Sequence, residues 1–310
     1  MKLPTKVTIK EVGPRDGLQN EPNFIETKEK VDWINRLSKT GLSYIEVSSF
    51  VHPKWIPQLA DSEEVLKSIK REAGVTYAAL VPNIRGLERA FNCHVDEISV
   101  FMSASEGHNK SNINKSIDET FPVLKEVVDE AKKADLKVRG YVSTVIACPY
   151  DGPVAPEQVL KVVDRLAEMG VYEISLGDTI GVGVPTQVES LLETLLKHFP
   201  PQLFAMHFHD TRGTALANVV KSLEMGITTF DSSTGGLGGC PYAKGASGNV
   251  ATEDLNYLLT AMNIETGVNP EALIDSAFFI EEKIGKKLIS KQLEIARNER
   301  SANVDNARTV

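Results

Sequence analysis

Two histidines, His207 and His209, bracket Phe208 at the end of the apolar run Leu203-Phe204-Ala205-Met206. Such a run reads as a buried strand, and strand side chains alternate between faces, so both imidazoles point the same way. Paired imidazoles at a strand's end are natural metal ligands. The plainer alternative is two half-buried histidines satisfied by hydrogen bonds. A carboxylate is available in Gly13-Pro14-Arg15-Asp16-Gly17. Asp16 can give a hard oxygen to a cation and Arg15 a planar fork of donors to a substrate oxygen, unless the two make an ordinary polar turn. Asn249 could add its side-chain carbonyl. One carboxylate, two imidazoles and an amide oxygen, without thiolates, suit an octahedral Mg2+ or Mn2+ with two positions left for substrate. Such an ion can chelate a hydroxyl and a carbonyl together, lower the hydroxyl's pKa and stabilise an alkoxide or enolate.

Other groups could complete that chemistry. The stretch Gly235-Gly236-Leu237-Gly238-Gly239-Cys240-Pro241-Tyr242, continued to Gly248, holds six glycines in fourteen residues. It reads as a flexible surface loop, as a phosphate cradle lacking the usual lysine pattern, or as a mobile lid that carries Cys240 into the site. A thiol with a pKa of about 8.5 can donate or accept a proton near neutral pH. No dedicated base marks Cys240 as a nucleophile. Glu46 and Asp178 are candidate acid/base or supporting groups, or else carboxylates satisfied by backbone amides or capping a helix. His207 is counted as a catalytic group as well as a ligand. His52 and His108 fall in loops at strand ends two and four. Arg139, inside a strand, must reach the mouth or pair with Glu97. Cys148 reads as a small buried hydrophobe.

The elements that must position these groups alternate along the chain. Apolar runs predict strands over 7–11, 44–47, 75–81, 97–102, 138–142, 172–176, 203–208 and 227–231. Helical spacing follows each one, for example Val31, Ile34 and Leu37 ahead of Gly41. Asp61 and Glu64 resemble a capping box opening the second helix. Eight strand–helix units imply a parallel sheet, and their number and length favour a closed (β/α)8 TIM barrel over an open doubly wound sheet. The barrel also gathers Asp16, Glu46, Asp178, His207 and His209 at one mouth, provided that the first and seventh strands lie side by side. No G-x-G-x-x-G follows the first strand, which counts against a dinucleotide fold. The barrel is assigned to residues 5–265, additional C-terminal helices packed on it to 266–297, and a frayed, disordered tail to 298–310.

Composition narrows the class. Of 310 residues, 42% are hydrophobic and 25% charged, as in ordinary globular proteins, and the net charge of −8 argues against a nucleic-acid surface. No apolar run approaches the roughly 18 residues of a membrane span. The three cysteines, Cys93, Cys148 and Cys240, make no metal-type pair. These features, with no signal peptide before the first strand, imply a cytoplasmic protein with a free thiol at Cys240.

Taken together, Gly13-Pro14-Arg15-Asp16-Gly17-Leu18-Gln19-Asn20, Ser175-Leu176-Gly177-Asp178-Thr179-Ile180-Gly181, His207-Phe208-His209-Asp210 and Gly236-Leu237-Gly238-Gly239-Cys240-Pro241 resemble 3-hydroxy-3-methylglutaryl-CoA (HMG-CoA) lyase over about residues 7–259. The cysteine motif is the most specific; the arginine–aspartate turn is shared with a wider superfamily of metal-dependent lyases and synthases. The resemblance implies a barrel that cleaves HMG-CoA to acetyl-CoA and acetoacetate with Mg2+ or Mn2+, as in leucine degradation and ketone-body metabolism. It implies Asp16, His207, His209 and Asn249 as metal ligands, Arg15 against the thioester enolate oxygen, Cys240 as the proton-handling lid residue, and Glu46 and Asp178 in support. The ends lack the presequence and peroxisomal tripeptide of animal members, which points to a bacterial-type cytosolic enzyme. A CoA thioester is the expected substrate, and the C-terminal helices make a homodimer the expected assembly. An isopropylmalate- or homocitrate-type synthase, a lyase for other 3-hydroxyacyl-CoA thioesters, and a non-catalytic barrel are the competing readings.

Overall fold

Eight parallel strands close into a ring in the computed structural model, which describes residues 3–238 and 248–308, with side chains to 302. The strands are β1 (Thr8–Glu11), β2 (Tyr44–Ser49), β3 (Thr76–Leu80), β4 (Glu97–Ser103), β5 (Lys137–Ser143), β6 (Glu173–Asp178), β7 (Phe204–Phe208) and β8 (Thr229–Ser232). Each pairs with its neighbours in chain order, and β8 returns to β1. The first and seventh strands are therefore not side by side, because β8 lies between them. Asp16 reaches the histidines from the turn after β1, across the mouth.

Paired residues in a parallel ladder share a face. Lys10 stands opposite Asp231, Asp231 opposite His207, and His207 opposite Gly177. Arg139 stands opposite Glu173 and Ser99. These residues fill the barrel's interior. The alternate set, including Ile9, Ile98, Val138, Ile174, Met206 and Phe230, is buried in the apolar layer beneath the helices. Each such side chain contributes about 1.5–3 kcal/mol on leaving water. The helices are α1 (Thr27–Leu37), α2 (Ser62–Ser68), α3 (Ile84–Phe91), α4 (Glu106–Ile113), α5 (Ile117–Lys133), α6 (Pro156–Met169), α7 (Pro185–Leu195), α8 (Ala215–Glu224), α9 (Thr252–Ala261), α10 (Pro270–Ile284) and α11 (Lys291–Arg308). No described helix is long and apolar enough to cross a membrane.

Several local expectations are corrected. Asp61 precedes α2 without capping it. Its carboxylate turns to the buried Lys30 ammonium at 2.8 Å and to Thr27 Oγ1, also at 2.8 Å. An ammonium in the core needs its countercharge more than an exposed helix end needs a cap. Helix α4 and a short antiparallel ribbon, Ala147–Cys148 with Gly152–Pro153, interrupt the simple alternation. Cys148 is buried there, but its sulfur also accepts the Tyr150 and Asp151 amides at 3.3 Å. The stretch from 298, expected to be disordered, continues α11 as far as Arg308. Arg297 and Arg300 anchor that helix through ion pairs to Glu281 and Asp275 of α10.

Candidate metal centre and active site

Directly after β1 the chain makes one turn of π-helix, Gly13–Gly17, with the Leu18 amide bonded to Gly13 O at 2.9 Å. Wide turns of this kind recur at functional sites because they aim a side chain that an α-turn would bury. Glu11 fixes the turn: its carboxylate accepts the Gly13 amide at 2.7 Å and the Thr234 amide at 3.0 Å, tying the end of β1 to the end of β8. The turn presents Arg15 and Asp16. Arg15 Nε donates to Glu46 Oε2 at 2.6 Å, its Nη1 donates to Asp16 Oδ1 at 2.5 Å, and its guanidinium lies 5.0 Å from the centre of the Tyr141 ring. Tyr141 OH also donates to Glu46 Oε2 at 3.0 Å.

Asp16, His207 and His209 meet at the mouth, with ligand-type atoms all within 4.8 Å of one another. The orientation of His207 is set from below. Its Nδ1 lies 3.2 Å from Asp231 Oδ2, and its Nε2 lies 3.8 Å from Asp16 Oδ2. The two imidazole centres are 5.3 Å apart. Asn249 is drawn in because β-bridging places its backbone against His209. Its Nδ2 donates to Asp16 Oδ2 at 2.7 Å and to Leu237 O at 3.0 Å. To offer an oxygen, the amide would have to turn over and give up both bonds.

This cluster fits a divalent cation on three counts. With Nδ1 turned to Asp231, His207 Nε2 faces the Asp16 carboxylate at 3.8 Å, a pair of donor atoms that a shared cation would bridge. His209 Nδ1 is buried with no hydrogen-bond partner among the described residues, a loss of about 1–3 kcal/mol unless something coordinates the ring. The third count is charge. Ion pairs and hydrogen bonds link Lys10, Arg15 and Arg139 with Asp16, Glu46, Glu97, Glu173 and Asp231 through the interior. Three cations face five carboxylates, a deficit that one divalent ion matches. Burial lowers Lys10 and raises Glu97, but neutralising both leaves the deficit unchanged.

The same burial predicts how stability depends on pH. Desolvation, with His207 second, pulls His209 from 6.5 down to about 4. Burial would raise Asp16, but Arg15 and then the two histidines outweigh it and hold the carboxyl at about 2. His209 therefore stays neutral in the folded chain under conditions where the unfolded chain takes up a proton. The metal-free protein should lose stability as pH falls from 6.5 to about 4, and lose more through Asp16 as pH falls from 3.8 to about 2. Calorimetric Tm values across this range check the slope, which His209→Gln should flatten in its upper part. A wild-type Tm that is level from pH 6.5 to 4 would contradict it.

The other candidates are placed differently from one another. Glu46 is fully buried and off the cavity wall, holding Arg15 and Tyr141 rather than facing substrate. Asp178 pairs with Phe208 in register and so belongs to the outward-facing set. Its oxygens accept the Val182 and Gly183 amides at 3.2 and 2.8 Å, and it brings no oxygen to the cavity wall. Arg139 pairs with Glu173 and Asp231 instead of Glu97, whose carboxylate takes the Tyr44 and Tyr172 hydroxyls. His52 is exposed and off the wall, whereas His108 is buried on it, with Nδ1 2.5 Å from Ser103 Oγ. Cys240 lies outside the described residues. The ends of its segment meet beside the cluster: a Cβ on Gly248 would sit 1.0 Å from Gly238 O, so only glycine allows the approach. Sequence reasoning missed Tyr141, Gln19 and Asp231, although strand alternation from Arg139 marks Tyr141 as inward. Gln19 Nε2 donates to Asp16 Oδ1 at 2.8 Å.

A cavity of about 360 Å3 opens over the cluster. Arg15, Asp16, His207 and His209 line it together with Val51, Ile56, Leu80 and Phe101. Such a mixed lining suits a molecule with both polar and apolar parts. Residues 6–280 match the family model described as HMGL-like. The chain is 60% identical over 298 residues to hydroxymethylglutaryl-CoA lyase YngG of Bacillus subtilis (strain 168), covering 96% of this chain and 100% of that protein. The solved B. subtilis HMG-CoA lyase superposes with a TM-score of 0.95 at 60% identity, covering 96% of this chain and 100% of that one. An HMG-CoA lyase from A. baumannii, solved with coenzyme A and 3-methylmalate, is 37% identical with a TM-score of 0.89, covering 94% of this chain and 95% of that one. The eight-stranded barrel, its carboxylate–imidazole cluster and these likenesses together show that the chain belongs to the HMGL-like family of hydroxymethylglutaryl-CoA lyases, metal-dependent enzymes that break a carbon–carbon bond.

Proposed function

We propose that the barrel mouth performs its family's retro-Claisen cleavage on (S)-3-hydroxy-3-methylglutaryl-CoA, releasing acetyl-CoA and acetoacetate, with the residues in the following roles. Asp16, His207 and His209 would hold the divalent ion, and Asn249 could add its amide oxygen if the side chain turned over. Oxygen and imidazole donors without a thiolate favour Mg2+ or Mn2+. When bound, the ion draws electron density from the substrate's hydroxyl and eases loss of its proton. The proton passes to solvent, and as the oxygen's electrons form a carbonyl the neighbouring carbon–carbon bond breaks, leaving the tertiary carbon as the ketone of acetoacetate. The pair of electrons from the broken carbon–carbon bond moves onto the thioester as an enolate. Arg15 meets that developing charge: Glu46 and Asp16 hold its guanidinium on the cavity wall, so donors are already aimed where the oxygen becomes negative. Glu46 acts through Arg15. His207 has one free lone pair and uses it as a ligand, not as a base. Asp178 steadies the loop after β6 through the Val182 and Gly183 amides. Cys240 delivers the proton that converts the enolate to acetyl-CoA.

The convergence of Asp16, His207 and His209 beneath Arg15 is the observation that carries this reading. The test is acetoacetate release from HMG-CoA by the purified protein, with and without EDTA. Cleavage should stop with EDTA and return with Mg2+ or Mn2+. Cys240→Ser should still bind metal but turn over far more slowly. Cleavage indifferent to EDTA, or condensation of acetyl-CoA with a 2-oxo acid in its place, would refute the assignment. We further propose a cytoplasmic homodimer. The exposed Ile289, just before α11, and Ile295, on α11, support the dimer.

A further inference from the structure

Asp231 touches neither the cavity nor the other ligand-type groups of the cluster, yet it is one strand away from His207 and in register with it. Its surroundings require a hydrogen on the Nδ1 of His207. Oδ1 accepts Arg139 Nη2 at 2.7 Å, and Oδ2 accepts Ser175 Oγ at 2.7 Å and Arg139 Nη1 at 3.3 Å. The remaining contact is His207 Nδ1, 3.2 Å from Oδ2. An ionised carboxylate has no hydrogen to give, so the ring must supply it. Arg139 is itself held from behind, with Nε on Glu173 at 2.6 Å, and Glu173 is held by Lys10 at 2.7 Å. The Tyr141 ring meets the imidazole edge-on, with centres 6.1 Å apart at 89°.

We propose that Asp231 is the positioning residue for His207: it fixes the Nδ1–H tautomer, keeps the Nε2 lone pair turned toward Asp16, and so sets the affinity of a metal it does not touch. Arg139 is the brace behind Asp231. The proposal rests on the metal reading of the preceding subsection. The other role open to Asp231, simple neutralisation of Arg139, would leave the state of His207 indifferent to its chemistry.

Asp231→Asn separates the two. Arg139 Nη2, whose 2.7 Å bond to Oδ1 is the closer of its two contacts, would claim the amide oxygen, leaving the NH2 in the place of Oδ2. The amide NH2 would then face His207 Nδ1 and force the hydrogen onto Nε2, the atom needed for ligation. Long-range 1H–15N spectra of metal-free wild type should show His207 as the Nδ1–H tautomer, and the variant should show Nε2–H. Mn2+ titrations should give an affinity about 10- to 100-fold weaker in the variant. A wild-type ring protonated on Nε2 would overturn the proposal even if the variant fails to fold. So would a folded variant with unchanged tautomer and Mn2+ affinity within twofold of wild type. A wild-type protein that binds no Mn2+ would instead sink the metal reading itself, and this proposal with it, whatever the tautomer.

Discussion

Arg15→Gln should lower HMG-CoA turnover by about 10^2- to 10^3-fold, the range for losing one preorganised donor to a developing oxyanion, without weakening Mn2+ binding. The reasoning starts from the guanidinium's three commitments: Glu46, Asp16 and the Tyr141 face. Two of these anchor it, and the free edge on the cavity wall is what substrate can meet. Removing the positive charge beside Asp16 cannot make the cluster less attractive to a cation, so isothermal calorimetry should show Mn2+ affinity unchanged or tighter. The complication is Glu46, which is fully buried and would be left with an uncompensated charge, a cost of about 3–5 kcal/mol. The double variant Arg15→Gln with Glu46→Gln should recover most of the lost Tm and none of the lost turnover. Recovery of both would reduce Arg15 to a structural ion pair.

Asp16→Ala should do the opposite to metal binding. It removes the only carboxylate of the cluster, and the loss of Mn2+ affinity should exceed the about 10- to 100-fold typical of deleting a group that merely orients a ligand. It also releases Arg15 Nη1, Gln19 Nε2 and Asn249 Nδ2, all of which donate to Asp16. Turnover should therefore fall further than in Arg15→Gln, because the metal and the aim of the arginine are lost together. Excess Mn2+ should recover little of it. Wild-type Mn2+ binding by Asp16→Ala would remove Asp16 from the ligand set.

What could be read from the sequence follows a physical boundary. The strand–helix rhythm and the shared face of His207 and His209 are local, since they follow from a period of two along one strand. The same parity could have turned Asp178 outward in advance: it shares a face with Ile174 and Leu176, and its Gly-flanked setting drew attention from that count. The partners of Arg139 could not be read this way. Glu97 lies on the preceding strand, but choosing among Glu97, Glu173 and Asp231 depends on which side chains meet across a closed ring, and closure is not encoded in any window. Asp231 was hidden for the same reason, since its importance lies in what stands one strand away. The π-turn after β1 depends on a bond from the Leu18 amide to Gly13 O that no propensity announces.

The chain of ion pairs inside the ring also constrains how this interior can change over generations. Deleting any one of Lys10, Glu173, Arg139 or Asp231 takes a countercharge from a neighbour buried inside the barrel. The outward-facing aliphatic layer can drift one methyl group at a time, each step costing about 0.5–1.5 kcal/mol. The inner charges can be exchanged only in concert, so a lineage wishing to retune this ion's grip has an easier route through the loops at the rim than through the staves below it.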